Sequence, residues 1–65
     1  MNLSRKFRIE VKLNETPAYR LAQLADVNPN ELYKLMNGIT KVRPYDDRII
    51  RVGKLLGLRP DECFE

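Results

Sequence analysis

The sequence predicts an all-α fold, and three patterns carry that reading. Residues 44 to 57 place apolar side chains at helical spacing and finish on a glycine. Two further helix starts, each marked by a proline (Pro17 and Pro29), follow one another closely. One segment, residues 7 to 13, alternates at the strand period, and no second such segment exists to pair with it.

Phe7-Arg8-Ile9-Glu10-Val11-Lys12-Leu13 alternates apolar and polar residues, the pattern of a half-buried strand. Read at helical spacing, the same region aligns Leu3, Phe7 and Val11 in steps of four, with Ile9 and Leu13 as a flanking stripe. The period alone favours the strand. A lone strand, however, has only its copy in a second chain to pair with. Three helices alone would also leave one side of the core uncovered. A helix over 6 to 13 is therefore expected.

The next helix is predicted over 17 to 25. Thr16 is the expected N-cap, Pro17 fits the first helical position, and Ala18, Leu21, Ala22 and Ala25 line the inner face. Asn28-Pro29-Asn30-Glu31 is a stronger start signal. Asn28 can cap, Pro29 occupies the first turn, and Glu31 stands three residues on, as in a capping box. This helix runs to Asn37 and ends at Gly38. Only Asp26 and Val27 separate it from its predecessor, which permits nothing but a tight turn.

In the 44 to 57 helix, Pro44 presets φ for a first turn, and Asp46 and Asp47 complement the positive end of the helix dipole. Ile49, Val52 and Leu56 form the apolar stripe, widened by Ile50 and Leu55. Gly57 suits a left-handed C-terminal cap over which Leu58 packs back. Gly53, inside the helix, costs about 1 kcal/mol against alanine and marks a close approach by a neighbouring helix. A short last helix is expected from Pro60 to Phe64, anchored by Phe64.

At 65 residues the chain is read as one domain, 1–65. Domains of about 60 residues bury only roughly 60% of their unfolded surface, so helix packing must stabilise it, helped by a second copy in a homodimer. No apolar run approaches the roughly 18 residues of a membrane span. The basic start (Arg5, Lys6, Arg8) lacks the apolar core of a signal peptide, and a cytoplasmic protein is expected. Cys63 is the only cysteine and histidine is absent, which leaves no internal disulfide and no donor set for structural zinc. No nucleophile–base pair or glycine-rich phosphate loop occurs, so neither catalysis nor a cofactor or small-molecule ligand is expected. Up to Arg43 there are eight Lys and Arg against four Asp and Glu; from Pro44 onward there are four against five. That asymmetry suits a polyanionic partner.

On a helical wheel, Asn30, Tyr33, Lys34 and Asn37 share the face opposite Leu32, Leu35 and Met36. Such a face is ordinarily just solvated. This one offers amide, phenol and ammonium groups and no carboxylate, since Glu31 falls off it. Asparagine matches adenine N6 and N7 in the major groove, and lysine reaches guanine or phosphate. Tyr33 can donate to a phosphate or meet a thymine methyl. The helix N-terminus adds N–H groups for a further phosphate. Lys41 and Arg43 follow in the loop, and Arg5, Lys6 and Arg8 form a candidate arm toward the backbone.

Leu21-Ala22-Gln23-Leu24-Ala25-Asp26-Val27-Asn28 and Leu32-Tyr33-Lys34-Leu35-Met36-Asn37-Gly38 resemble the XRE family of lambda-repressor- and Cro-like DNA-binding domains. The resemblance continues through Arg43-Pro44 and Ile50 to Leu58, with Asp61-Glu62, covering residues 5 to 64. It implies a bundle of four to five helices in which the second and third form a helix-turn-helix and the third enters the major groove. Ala22 would then stand where those helices cross, among Leu21, Val27, Leu32 and Leu35. Asn28, Asn30, Tyr33, Lys34 and Asn37 would contact DNA, flanked on the phosphates by Lys41 and Arg43. Three positions depart from the family pattern: Asp26 stands where glycine is usual, Ala18 where glutamine binds phosphate, and Arg59 where Ser or Asp caps the last helix. Thr16, Tyr19 or Arg20 would replace the lost phosphate contact. The implied function is a sequence-specific double-stranded DNA-binding regulator, a repressor, acting as a homodimer on a palindrome. The alternative is a protein-interaction module, antitoxin-like or a phage-borne adaptor, presenting Ile9, Leu13, Tyr45 and Phe64 to its partner.

Overall fold

The computed structural model describes all of residues 1–65. Four helices form: α1 (Arg5–Leu13), α2 (Ala18–Leu24), α3 (Pro29–Met36) and α4 (Asp47–Leu55), followed by a 3-10 turn at Pro60–Glu62. No strand forms. Leu3 and Phe64 make one isolated antiparallel bridge.

The alternating segment is therefore helical. Ser4 caps α1, its Oγ accepting from the Phe7 N–H at 3.0 Å. Leu3, Phe7 and Val11 are buried, while Ile9 and Leu13 remain exposed. Extended backbone occurs just before it instead. There the Ser4 N–H donates to the Cys63 carbonyl at 2.9 Å and the Glu65 N–H to the Asn2 carbonyl at 2.9 Å. The two chain ends thus pair with each other, and the Ser4 hydroxyl donates to the Glu62 carbonyl.

Helices α2, α3 and α4 all end in the same way. In each, one residue turns left-handed: Asp26 (φ +57°), Gly38 (+72°) and Gly57 (+75°). The N–H of the residue after it returns to a carbonyl five residues back: Val27 to Ala22 at 2.8 Å, Ile39 to Lys34 at 2.9 Å, Leu58 to Gly53 at 2.9 Å. This is the Schellman arrangement, which satisfies carbonyls the helix end leaves open. Asp26 adopts the conformation without a glycine's freedom, at a cost of roughly 1 kcal/mol that its short polar side chain moderates.

Several helix ends differ from the sequence expectation. Thr16 does not cap α2: its N–H donates to Asn14 Oδ1 at 3.0 Å, and Pro17 takes the N-cap position, its carbonyl accepting from Arg20 and Leu21. The local turn made by Asn14 outcompetes a threonine cap. Ala18 accordingly falls at the exposed start of the helix, not on its inner face. Pro44 lies outside α4. Tyr45 follows it at φ +48°, a conformation no right-handed helix can include, and Asp46 caps the helix by accepting from the Arg48 N–H at 3.2 Å. Leu55 is 45% exposed and falls off the stripe that buries Ile49 and Val52. The final turn stops at Glu62, so Phe64 lies beyond it, buried and edge-on to Tyr45 at 5.6 Å. Arg59 starts that turn with its N–H held by Glu62 Oε1 at 2.9 Å, in place of a Ser or Asp cap.

One apolar cluster joins the elements. Phe7 of α1, Leu32 and Leu35 of α3, and Ile49 and Val52 of α4 are its largest members, with Leu3 and Cys63 from the paired ends. Ala22 is fully buried, and α2 packs closely on α3. The neighbour that Gly53 admits is not a helix but Cys63: a Cβ at position 53 would lie 2.5 Å from its Sγ. Gly53→Ala is accordingly expected to lower stability by about 1–3 kcal/mol despite alanine's better helix propensity. Adding Cys63→Ala should recover part of the loss, a non-additivity that urea unfolding of the two single variants and the double variant would reveal.

Candidate nucleic-acid interface

Helix α3 starts where its sequence signals place it. Asn28 Oδ1 accepts from the Asn30 N–H at 2.8 Å, and Pro29 occupies the first turn. The capping box is not completed, because the Glu31 carboxylate lies instead 3.7 Å from the Arg48 guanidinium. Leu32 and Leu35 are each 1% exposed and hold the helix to the core, with Met36 packed at the edge. Asn30, Tyr33, Lys34 and Asn37 are all exposed on the other side.

These polar groups differ in how free they are. The Asn28 carbonyl oxygen is committed to its cap, and Asn37 Nδ2 donates to the Tyr33 carbonyl at 2.8 Å, closing the last turn. Asn30 and Lys34 make no side-chain hydrogen bond or ion pair, so their donors and acceptors are available to a partner. Tyr33 is 62% exposed.

The remaining candidates fall into two places. Tyr19, exposed on the first turn of α2, lines a groove of about 400 Å³ together with Tyr33 and Asn37, floored by Val11, Leu32 and Met36. Thr16 is half-buried and is not part of that groove. Arg20 leans on its own helix, bonding Gln23 Oε1 at 3.3 Å. Lys41 and Arg43 line a separate depression beyond the C-terminal end of α3.

Charge pairing sharpens the asymmetry seen in the sequence. Arg51 pairs with Asp47, and Arg59 with Asp61 and Glu62. Lys34 and Lys41 have no carboxylate partner, and Arg43 reaches Asp46 only at 3.7 Å. The unpaired cations thus fall mostly in the leading portion: Arg5, Arg8, Lys12, Arg20, Lys34 and Lys41, against Lys54 alone after Arg43.

Nothing in the sequence marks Arg48, yet it links α3 to α4. Asp46, whose side chain is wholly inaccessible, accepts from the Arg48 guanidinium at 2.9 and 2.7 Å and from the Arg43 N–H at 3.2 Å. The Asp46 and Asp47 pair looks in sequence like simple dipole compensation. Only the fold shows that one of the two is an interior anchor. Of the apolar residues grouped as an alternative partner surface, Ile9, Leu13 and Tyr45 are exposed but Phe64 is buried and cannot belong to it. No helix is long and apolar enough to cross a membrane. No family model, curated protein or solved structure matches the chain.

The Arg48 side chain, bonding against the opposing effect of burial, holds the Asp46 carboxyl at about 2. Glu62 is also lowered to about 2, chiefly by its bond from Lys6. Both values lie below those of an unfolded chain, near 3.9 for Asp and 4.3 for Glu. Their contribution is therefore present above about pH 4 and is lost as pH falls toward 2; for Asp46 it amounts to about 2 kcal/mol. Asp46→Asn should lower the urea midpoint at pH 7 and flatten its decline between about pH 4 and 2, while Glu62 keeps a residual slope there.

Proposed function

We propose that the chain is a sequence-specific double-stranded DNA-binding regulator in which α2 and α3 form a helix-turn-helix and α3 enters the major groove. One observation carries this reading: a carboxylate-free face of Asn30, Tyr33 and Lys34 stands exposed on a helix whose opposite face is fixed in the core. The α2–α3 reversal, with Asp26 left-handed and Ala22 buried at the crossing, has the compactness that the XRE resemblance implies. An α-helix about 10–12 Å across fits a major groove about 12 Å wide.

Within that geometry the residues divide by reach and freedom. Asn30 and Lys34 carry uncommitted polar ends suited to base edges: adenine N6/N7 for the amide and guanine O6/N7 for the ammonium. Asn28 and Asn37, partly committed to caps, and Tyr19, at the start of α2, suit phosphate or sugar contacts that set register. Tyr33 spans both roles. Lys41 and Arg43 flank the groove on the backbone. Thr16, half-buried, contributes least. One such unit reads a half-site, so a homodimer on a palindrome is the working form, and repression by occupancy follows the family resemblance. Exposed Leu13 (77%), Ile9 and Tyr45 also favour a protein partner, as in an antitoxin-like or adaptor role.

Random-site selection with the purified chain should yield a defined half-site and, if the dimer forms, its inverted repeat. Against that site, Asn30→Ala and Lys34→Ala are each expected to cost about 1–3 kcal/mol and to relax the preference at one position. Lys41→Ala should weaken all sequences evenly and lower the slope of log K against log salt by about 1. Unchanged affinity in the Asn30→Ala/Lys34→Ala double variant would sink the assignment of α3 as the reading helix.

A further inference from the structure

A second depression of about 400 Å³ lies between α1 and the segment joining α3 to α4. Arg8 of α1, Lys41 and Arg43 all line it, beside Thr40, and no carboxylate does. We propose that this depression is a phosphate-binding site in which Arg8 is the third cation, and that its occupant is a backbone phosphodiester of the nucleic acid held by α3. The choice of occupant rests on the DNA reading; the phosphate chemistry does not.

Four observations converge on it. Arg8 is exposed and makes no ion pair or side-chain hydrogen bond, so its guanidinium is free to meet a ligand. Lys41 is equally unpaired, and Arg43 has only the distant Asp46, whose oxygens already serve Arg48. Lys41 and Val42 belong to the same lining, and their backbone N–H groups donate to no acceptor in the chain. Free backbone N–H donors and cationic side chains are both groups that an oxyanion accepts from. Finally, Gly38, which ends α3 directly after Asn37, is also part of the wall, so the site continues the candidate interface around the helix end.

The depression is open and larger than one phosphate needs, which suits a strand passing through it rather than an enclosed small ion. Arginine's planar fork can take two oxygens of one phosphate, and lysine adds a point charge. Three cations lining one depression, with only Arg43 near a carboxylate, repel one another, an arrangement that a bound anion relieves.

Two measurements on the intact chain test the site. Titrating inorganic phosphate into the 15N-labelled protein should move the amide signals of Gly38, Thr40, Lys41 and Val42 with one saturating curve, absent in Arg8→Gln. Shifts spread equally around Arg5, Lys12 and Arg20 would overturn the site as general ionic screening. In duplex binding, Arg8→Gln should lower the log K against log salt slope by about 1, roughly five- to tenfold in affinity near 0.1 M salt. Its thermal midpoint should stay level or rise, because like-charge repulsion is relieved; a structural arginine would lower it. DNA binding with an unchanged slope in Arg8→Gln would overturn the site and leave the DNA-binding function standing. Saturable phosphate shifts with no DNA binding by the unaltered chain would keep the site but assign it to a small phosphorylated solute, removing the DNA reading.

Discussion

The close crossing of α2 and α3 is the constraint on which the remaining structure depends. Two helices can reverse direction across Ala25, Asp26 and Val27 only if the first ends abruptly and their surfaces meet without bulk. The left-handed Asp26 supplies the abrupt end, and the Val27-to-Ala22 hydrogen bond locks it. Ala22, fully buried, supplies the small surface. A larger side chain there would push α3 outward and tilt every polar group it presents. The next two reversals repeat the device with Gly38 and Gly57, so a short chain folds around one core with few residues spent on loops.

Closing the bundle falls to the chain ends. The 3-10 turn brings Cys63 against Gly53, Phe64 against Tyr45 and the Leu3 bridge, while Ser4 caps α1 and also binds the Glu62 carbonyl. Lys6 and Glu62 add an ion pair across the same seam. α1 is therefore held at its start by residues from the far end of the sequence. Burial also pushes the Cys63 thiol up, with the Glu62 and Asp61 charges adding to the effect, which keeps it a packing group.

Much of this was legible in the residues, and what was not has physical causes. The four helices, the left-handed Gly57 and the split of α3 into Leu32/Leu35 and Asn30/Tyr33/Lys34 follow from period and capping chemistry, which act locally, whereas the left-handed Tyr45 was hidden inside a helical pattern. Helix starts were less legible because two local signals competed. Asn14 took the Thr16 N–H, and the Asp46 carboxylate outbid the preset φ of Pro44. The alternation in residues 7 to 13 pointed to a strand because period ignores what is available to pair with; the extended pairing went to residues 2 to 4 instead. Least visible were the long-range groupings. Tyr19 and Tyr33 share a groove through the packing of α2 on α3, and Arg8 joins Lys41 and Arg43 where α1 faces the segment after α3.

Glu31 shows how such packing also finishes a property that the sequence only began. It is the one acid of α3, and on the wheel it merely falls beside the polar face. In the fold it is drawn toward Arg48, whose guanidinium is anchored by two bonds to the buried Asp46. Arg48, charged as any arginine is, is raised further above its ordinary value by the Asp46 bond. At 3.7 Å the contact between Glu31 and Arg48 is loose, and with Glu31 half-exposed its direct contribution to stability is small. Its effect on the local field is also limited, because the Arg48 charge is already balanced by Asp46 and the three groups together stay negative. What the interior aspartate fixes is the place of the guanidinium, and with it the contact that Glu31 makes at the start of α3. An α4 cap, which looks purely local, is in this way also a contact that ties α4 to α3.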